Sequence, residues 1–183
     1  MLFDFSDRAR VIAHEAGHAV VAWSSPFIPA PQEIRFYPSL EEAETWVEPI
    51  PDVTSSLDAL ECAAFALGGA AGEAMILGGY ERLVVKDLDY ACWAAQVARL
   101  MGVKRRHWRK TPFILRLPRE IWRELHWFLD QAYATALARL EAQRAPYDRL
   151  LDLLSREYAG GRVEFGVDEI SACLGPRPFP SPP

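Results

Sequence analysis

Several residue types that usually announce a function are scarce in this chain. Cysteine occurs three times, at Cys62, Cys92 and Cys173, far apart, in apolar surroundings and with no C-x-x-C pair. That excludes a disulfide framework and a cysteine-rich metal site, and it fits thiols kept reduced, so the cytoplasm is the expected location. No uninterrupted apolar run approaches the roughly 18 residues of a membrane-spanning helix. The opening MLFDFSDRAR has no apolar stretch behind a basic start, so no secretory leader is expected. Glycine never falls into the G-x-x-x-x-G-K-[ST] pattern, which excludes a P-loop nucleotide site. Positive charge is in deficit, with a net charge of -5, which argues against attraction to nucleic acid or to an anionic membrane. A short basic cluster, Lys104, Arg105, Arg106, Arg109 and Lys110 around Trp108, does not reverse that, because no nucleic-acid fold motif accompanies it. Histidine appears only four times, yet two of the four stand four residues apart.

What is present describes one domain. A chain of 183 residues, half hydrophobic and a quarter charged, is long enough to bury a substantial core. Ser6 with Asp7 reads as the start of a helix that runs to about Ser24, before Pro26. Its apolar residues cover nearly the whole circumference, so it is expected at the centre of the molecule. QEIRFYP (32–38) and ETWVEPI (44–50) alternate as short strands, and Pro49 and Pro51 mark the second as an edge strand. Thr54, Ser55 and Ser56 offer caps for one long alanine-rich helix ending at Gly78 and Gly79. Its internal Gly68 and Gly69 cost about 1 kcal/mol each against alanine, which close packing on another helix offsets. Further helices are expected from about Asp87 to Met101, Pro118 to Arg144 and Pro146 to Ala159. VEFGVDEISACLG reads as a turn and a short closing helix. The expected fold is mainly α (α+β), with a small sheet in the N-terminal half. It forms one domain over 1–175 and a proline-rich disordered tail over 176–183.

The chemistry concentrates in HEAGH, residues 14 to 18. Chance produces His-Glu-x-x-His in about one of every 140 shuffled chains of this composition. On a helix, positions i and i+4 lie one turn apart on the same face, so His14 and His18 point the same way and suit one zinc ion. Glu15 lies on the flank of that pair, placed as a general base for a water molecule attacking a peptide carbonyl. Gly17 lets another backbone approach. A catalytic zinc takes a third protein ligand, and the residues alone leave several candidates. His107 sits in the basic loop and His126 on a helix. Glu73 is a lone acid in an apolar helix and needs a partner when buried. Asp87 and Asp89 open the next helix, where acids also serve as caps.

These segments together resemble the peptidase domain of the FtsH-type, ATP-dependent zinc metalloproteases. AHEAGHAVVAW is very close to the family's HEAGHA(V/L)V segment, and ALGGAAGEAMILGG looks like its LLGGRAAEEL-F-G helix, with Ala70 where arginine is usual. KDLDYACWAAQVARLMG is similar to N-D-L-x-x-A-T-x-x-A-x-x-M, with Lys86 for the usual asparagine. LDQAYATALARLEAQRAPYDRLLDLL and VDEISACLG resemble the closing helices, so the likeness spans about Ser6 to Gly175. It implies a helical zincin-like peptidase domain built round a central HExxH helix, a Zn2+ cofactor and Asp87 as third ligand. Glu73 then becomes a residue that hydrogen-bonds a ligand histidine and fixes its tautomer. The ATPase module and membrane anchor of that family are not recognisable in this chain. The expected substrates are therefore peptides or unfolded proteins, with a separate ATPase needed for folded ones. The family's rings make a homo-oligomer a further expectation. Thr45, Trp46 and Val47 on the edge strand are expected to bind substrate by strand addition, through main-chain hydrogen bonds with little sequence preference. From a different class, the alternative is a zinc-stabilised interaction domain without proteolysis. An intact Glu15 favours the enzyme.

Overall fold

A computed structural model describes residues 5–37, 42–78, 85–100 and 119–179. The chain order is α1 (Phe5–Trp23), β1 (Pro31–Tyr37), β2 (Glu42–Val47), α2 (Ser56–Ala66), α3 (Gly68–Leu77), α4 (Val85–Leu100), α5 (Arg119–Ala142), α6 (Arg144–Ala159), β3 (Glu164–Gly166) and α7 (Val167–Leu174). The protein is mainly helical with a small sheet. The basic cluster at 104–110, including His107, lies outside the described residues. No single described helix is long and apolar enough to cross a membrane.

Helix α1 is buried without a break from Ile12 to its end at Trp23, as its all-round apolar composition requires. One core joins Val20, Ile34, Phe36, Leu140, Leu150, Leu154, Phe165 and Ile170, and so binds α1 to the sheet and to α5, α6 and α7. A second joins Ala22, Ile28, Cys62, Leu67, Trp93 and Ala132 under α2, α4 and α5. Inside it the Glu61 carboxylate is satisfied by the Ser25 hydroxyl at 2.6 Å and by Arg139.

The structure corrects three expectations. The long alanine-rich helix is two helices, bent by 47° at Leu67. Ser55 caps the first in a reciprocal capping box with Asp58. The bend follows from packing that allows no side chain. A Cβ on Gly17 would stand 2.2 Å from the Gly68 carbonyl oxygen, and one on Gly72 would stand 2.3 Å from that of Ala13. Backbones α1 and α3 therefore touch directly, an approach open only to residues without a Cβ. The Tyr147 hydroxyl of α6 spans the same seam, 2.9 Å from the Gly72 carbonyl oxygen and 3.2 Å from that of Ala13.

The sheet is also larger than the N-terminal half provides. Its order is β2-β1-β3, antiparallel throughout, with Ile34 opposite both Thr45 and Phe165. Three residues are too few to show alternation, so β3 is invisible in the sequence. Buried Phe165 and the bond from the Phe36 N–H to the Val163 carbonyl at 2.8 Å hold it in place. β2 stops at Val47, short of the expected 50. The prolines beyond it lack donors, and a register shift between Pro31 and Glu33 disturbs the pairing there. Finally, the stretch expected to be a disordered tail holds an anchored residue at its second position. Arg177 donates to the carbonyls of Trp23 (2.9 Å), Ala22 (3.2 Å), Ser25 (2.7 Å) and Ile28. These lie at and just beyond the α1 C-terminus, where carbonyls lack helical partners and a cation is favoured.

Gly17→Ala is predicted to force α1 and α3 apart and to cost about 3 kcal/mol, a fall in Tm of roughly 6–12 °C. Gly166→Ala, where a Cβ meets nothing within 4 Å, is the control and is predicted to stay within about 0.5 kcal/mol of wild type in chemical denaturation.

Candidate metal centre

Three elements deliver the site. Helix α1 presents His14 and His18 on one face, α4 brings Asp87 from its first turn, and α3 brings Glu73 behind them. One ligand atom from each of His14, His18 and Asp87 falls within 4.8 Å of the other two. His14 Nε2 lies 3.1 Å from His18 Nε2 and 3.0 Å from Asp87 Oδ2, and His18 Nε2 lies 3.4 Å from the same oxygen.

The other ring nitrogens decide what these atoms are. His18 Nδ1 stands 2.8 Å from the Phe65 carbonyl oxygen, which only accepts, so Nδ1 carries the proton and donates. His14 Nδ1 donates likewise to Glu73 Oε1 at 2.8 Å. In their neutral forms both imidazoles therefore turn bare Nε2 lone pairs towards each other and towards a carboxylate oxygen. Such an arrangement needs a positive charge among the three atoms, either a proton or a metal ion. A tetrahedral metal with ligands at about 2.0–2.1 Å sets ligand atoms roughly 3.3 Å apart, close to the three observed separations. The donor set, two imidazoles and a carboxylate, fits a metal ion.

The charge balance of the metal-free site follows. Burial alone lowers His14, but hydrogen bonds to Asp87 and Glu73 and the charges of Glu15 and Asp87 outweigh it, raising its pKa to about 10. Burial also opposes protonation of His18, and Asp87 overcomes it, so this group too is raised. Burial pushes Asp87 up, but the charge of His18 and the bonds from both histidines hold it well below the usual carboxylate range. Glu15 is raised, because its burial outweighs the pull of His18, His14 and the Thr45 hydroxyl.

The sequence-derived residues divide clearly. His14, His18 and Asp87 are together. Glu73 touches His14, and its Oε2, without a hydrogen bond, faces Arg10 Nη1 at 3.9 Å. Glu15 is buried beside them, with Thr45 Oγ1 2.8 Å from its Oε2. Trp46 is 59 % exposed on the other face of β2, and Val47 is half-buried. Asp89, on α4, is not among the three converging ligand atoms. His126 is on α5. Residues that sequence reasoning missed are Phe65 and Gly69. The helix break leaves Phe65 among the last carbonyls of α2, available to orient His18. A Cβ on Gly69 would stand 2.3 Å from His14 Nε2, so this glycine makes room for the His14 ring. The Gly68-Gly69 pair was the available signal. Comparisons of the chain with protein-family models and with curated proteins find no match.

A pH dependence follows. His14 ordinarily titrates at 6.5, so the stabilisation from its proton is complete below that pH and is lost as pH rises through about 10. A metal ion has to displace this proton. Zn2+ binding to chelator-treated protein at neutral pH is predicted to release at least one proton. Apparent affinity should climb about tenfold per pH unit until that proton is gone. Titration calorimetry in buffers of different ionisation enthalpy measures the release, and a buffer-independent heat would contradict it.

Proposed function

We propose that the chain is a zinc-dependent metalloendopeptidase of zincin-like build, hydrolysing peptide bonds in peptides or unfolded proteins with Glu15 as general base. The observation that carries this reading is the buried Glu15 carboxylate set beside three converging donors, His14, His18 and Asp87. A purely structural zinc site uses four protein ligands and has no need of a base, whereas three donors leave a coordination position for chemistry. Zinc held by these residues supplies Lewis acidity to the hydrolysis. The chain's own residues supply the rest. Glu15 takes a proton from the attacking water and returns it to the leaving amine. A carboxyl raised by burial suits that exchange near neutral pH. Glu73 fixes His14 through Nδ1, and the Phe65 carbonyl fixes His18 in the same way.

Among the described strands β2 pairs only with β1, so its outer edge is open to an extended peptide. The likeness to FtsH-type proteases makes an ATPase partner for folded substrates and a homo-oligomer part of the proposal. The three free thiols suit a reducing compartment such as the cytoplasm.

Metal analysis with cleavage of an unstructured, fluorescently labelled casein tests this reading. One zinc per chain is expected, with cleavage abolished by chelator. Glu15→Gln is predicted to keep zinc and lose at least about 100-fold in kcat. Asp87→Ala is predicted to lose zinc, and normal zinc content in that variant rules out the ligand assignment. One zinc per chain without cleavage favours the zinc-stabilised interaction domain instead.

A further inference from the structure

We infer that Thr45 is a positioning residue for the general base, holding the Glu15 carboxylate from the strand on which substrate docks; this rests on the peptidase reading above. The sequence assigns Thr45 to substrate contact through its backbone, as one of three consecutive edge-strand residues. Its side chain has a different task. Along β2 the burial alternates, with Ala43, Thr45 and Val47 half-buried and Glu44 and Trp46 exposed. Thr45 therefore faces inward, with Ile34 of the central strand opposite it. Its hydroxyl lies 2.8 Å from Glu15 Oε2 and 3.0 Å from the Glu15 carbonyl oxygen.

A hydroxyl has one proton to give. The carbonyl lies within α1 and already accepts a helical N–H, while a buried carboxylate is the stronger and needier acceptor. The proton is therefore assigned to Oε2. With Oε2 tethered, rotation of the carboxyl group is restricted and Oε1 is the oxygen assigned to proton exchange. The tether runs from β2, an edge strand whose outer side is unpaired among the described residues, so a peptide paired with β2 and the base that acts on it take their positions from the same residue. A β-branched residue serves this purpose well, because its side chain rotation is restricted in a strand.

The contact is separable from a general tie between β2 and α1. Thr45→Val keeps shape and branching and removes only the hydroxyl, while Thr45→Ser restores the hydroxyl without the methyl group. In zinc-loaded full-length protein, Thr45→Val is expected to retain one zinc per chain and an unchanged KM, with kcat lower by about 10- to 100-fold. Thr45→Ser is expected to recover most of the loss. Independently of activity, the side-chain carboxyl 13C resonance of Glu15, assigned through Glu15→Gln, is expected to shift in Thr45→Val and to return in Thr45→Ser. An unmoved resonance overturns the contact, and a moved resonance with wild-type kcat overturns the positioning role. Equal losses in both variants, matched by an equal fall in Tm, reduce Thr45 to a structural tie. No cleavage by the zinc-loaded wild type defeats the peptidase reading and the catalytic sense of Thr45 with it, while the resonance still reports whether the hydroxyl holds Glu15.

Discussion

Two hydrogen bonds made on the far side of the imidazoles govern the centre of this molecule. Because His14 Nδ1 gives its proton to Glu73 and His18 Nδ1 gives its own to the Phe65 carbonyl, both Nε2 atoms face inward at 3.1 Å. Neither ring can turn away without abandoning a buried acceptor, at a cost of about 1–3 kcal/mol. Asp87 adds a third lone pair rather than relieving the first two. The raised histidines and the lowered aspartate are the same fact expressed as proton affinity: the cluster retains positive charge because its geometry concentrates negative potential. On the proposed reading a site held in that state is already organised for a metal ion, which would take the place of the proton.

The glycines explain how a short sequence achieves this. Gly17, Gly68 and Gly72 let α1 and α3 meet backbone to backbone, which carries Glu73 to within 2.8 Å of His14. The same contact bends the chain at Leu67, and the bend brings the end of α2 over His18. Gly69 leaves the space that the His14 ring occupies. Packing and site are thus one arrangement. A methyl group added to widen the seam would move a hydrogen-bond acceptor on one histidine and the seat of the other.

Where the sequence could be read, local rules carried the reading. His14, Glu15 and His18 stand on one helix, so spacing alone aligned them, and the burial of α1 followed from its apolar circumference. Asp87 stands in the cluster with the two histidines, but spacing could not choose between it and Glu73, because Asp87 lies 73 positions along the chain from His14. What stayed hidden depends on long-range geometry. The break at Leu67 is set by what α1 presents to it, β3 is only three residues long, and the use of Arg177 appears only once the end of α1 is in place. Thr45 illustrates the limit best. Its strand was legible from alternation, but alternation does not say what lies beneath the inward face.

That inward face bears on how the site would work. An edge strand is a hazard, because its open hydrogen-bonding groups pair with any extended chain. Here the exposed Glu44 of β2 and Glu48 just beyond its end stand on either side of Trp46, charges that discourage a second copy of the same acidic strand from pairing while leaving the main-chain groups open. The inward face carries a hydroxyl committed to Glu15. A strand that only completed a sheet would gain nothing from placing a polar side chain there, since a half-buried valine would pack at least as well. The polar choice is accounted for by the carboxylate beneath it, whose burial raises its proton affinity and whose one tethered oxygen fixes its direction. On the proposed peptidase reading the edge strand and the base form one unit, with recognition on its outer edge and proton transfer on its inner face.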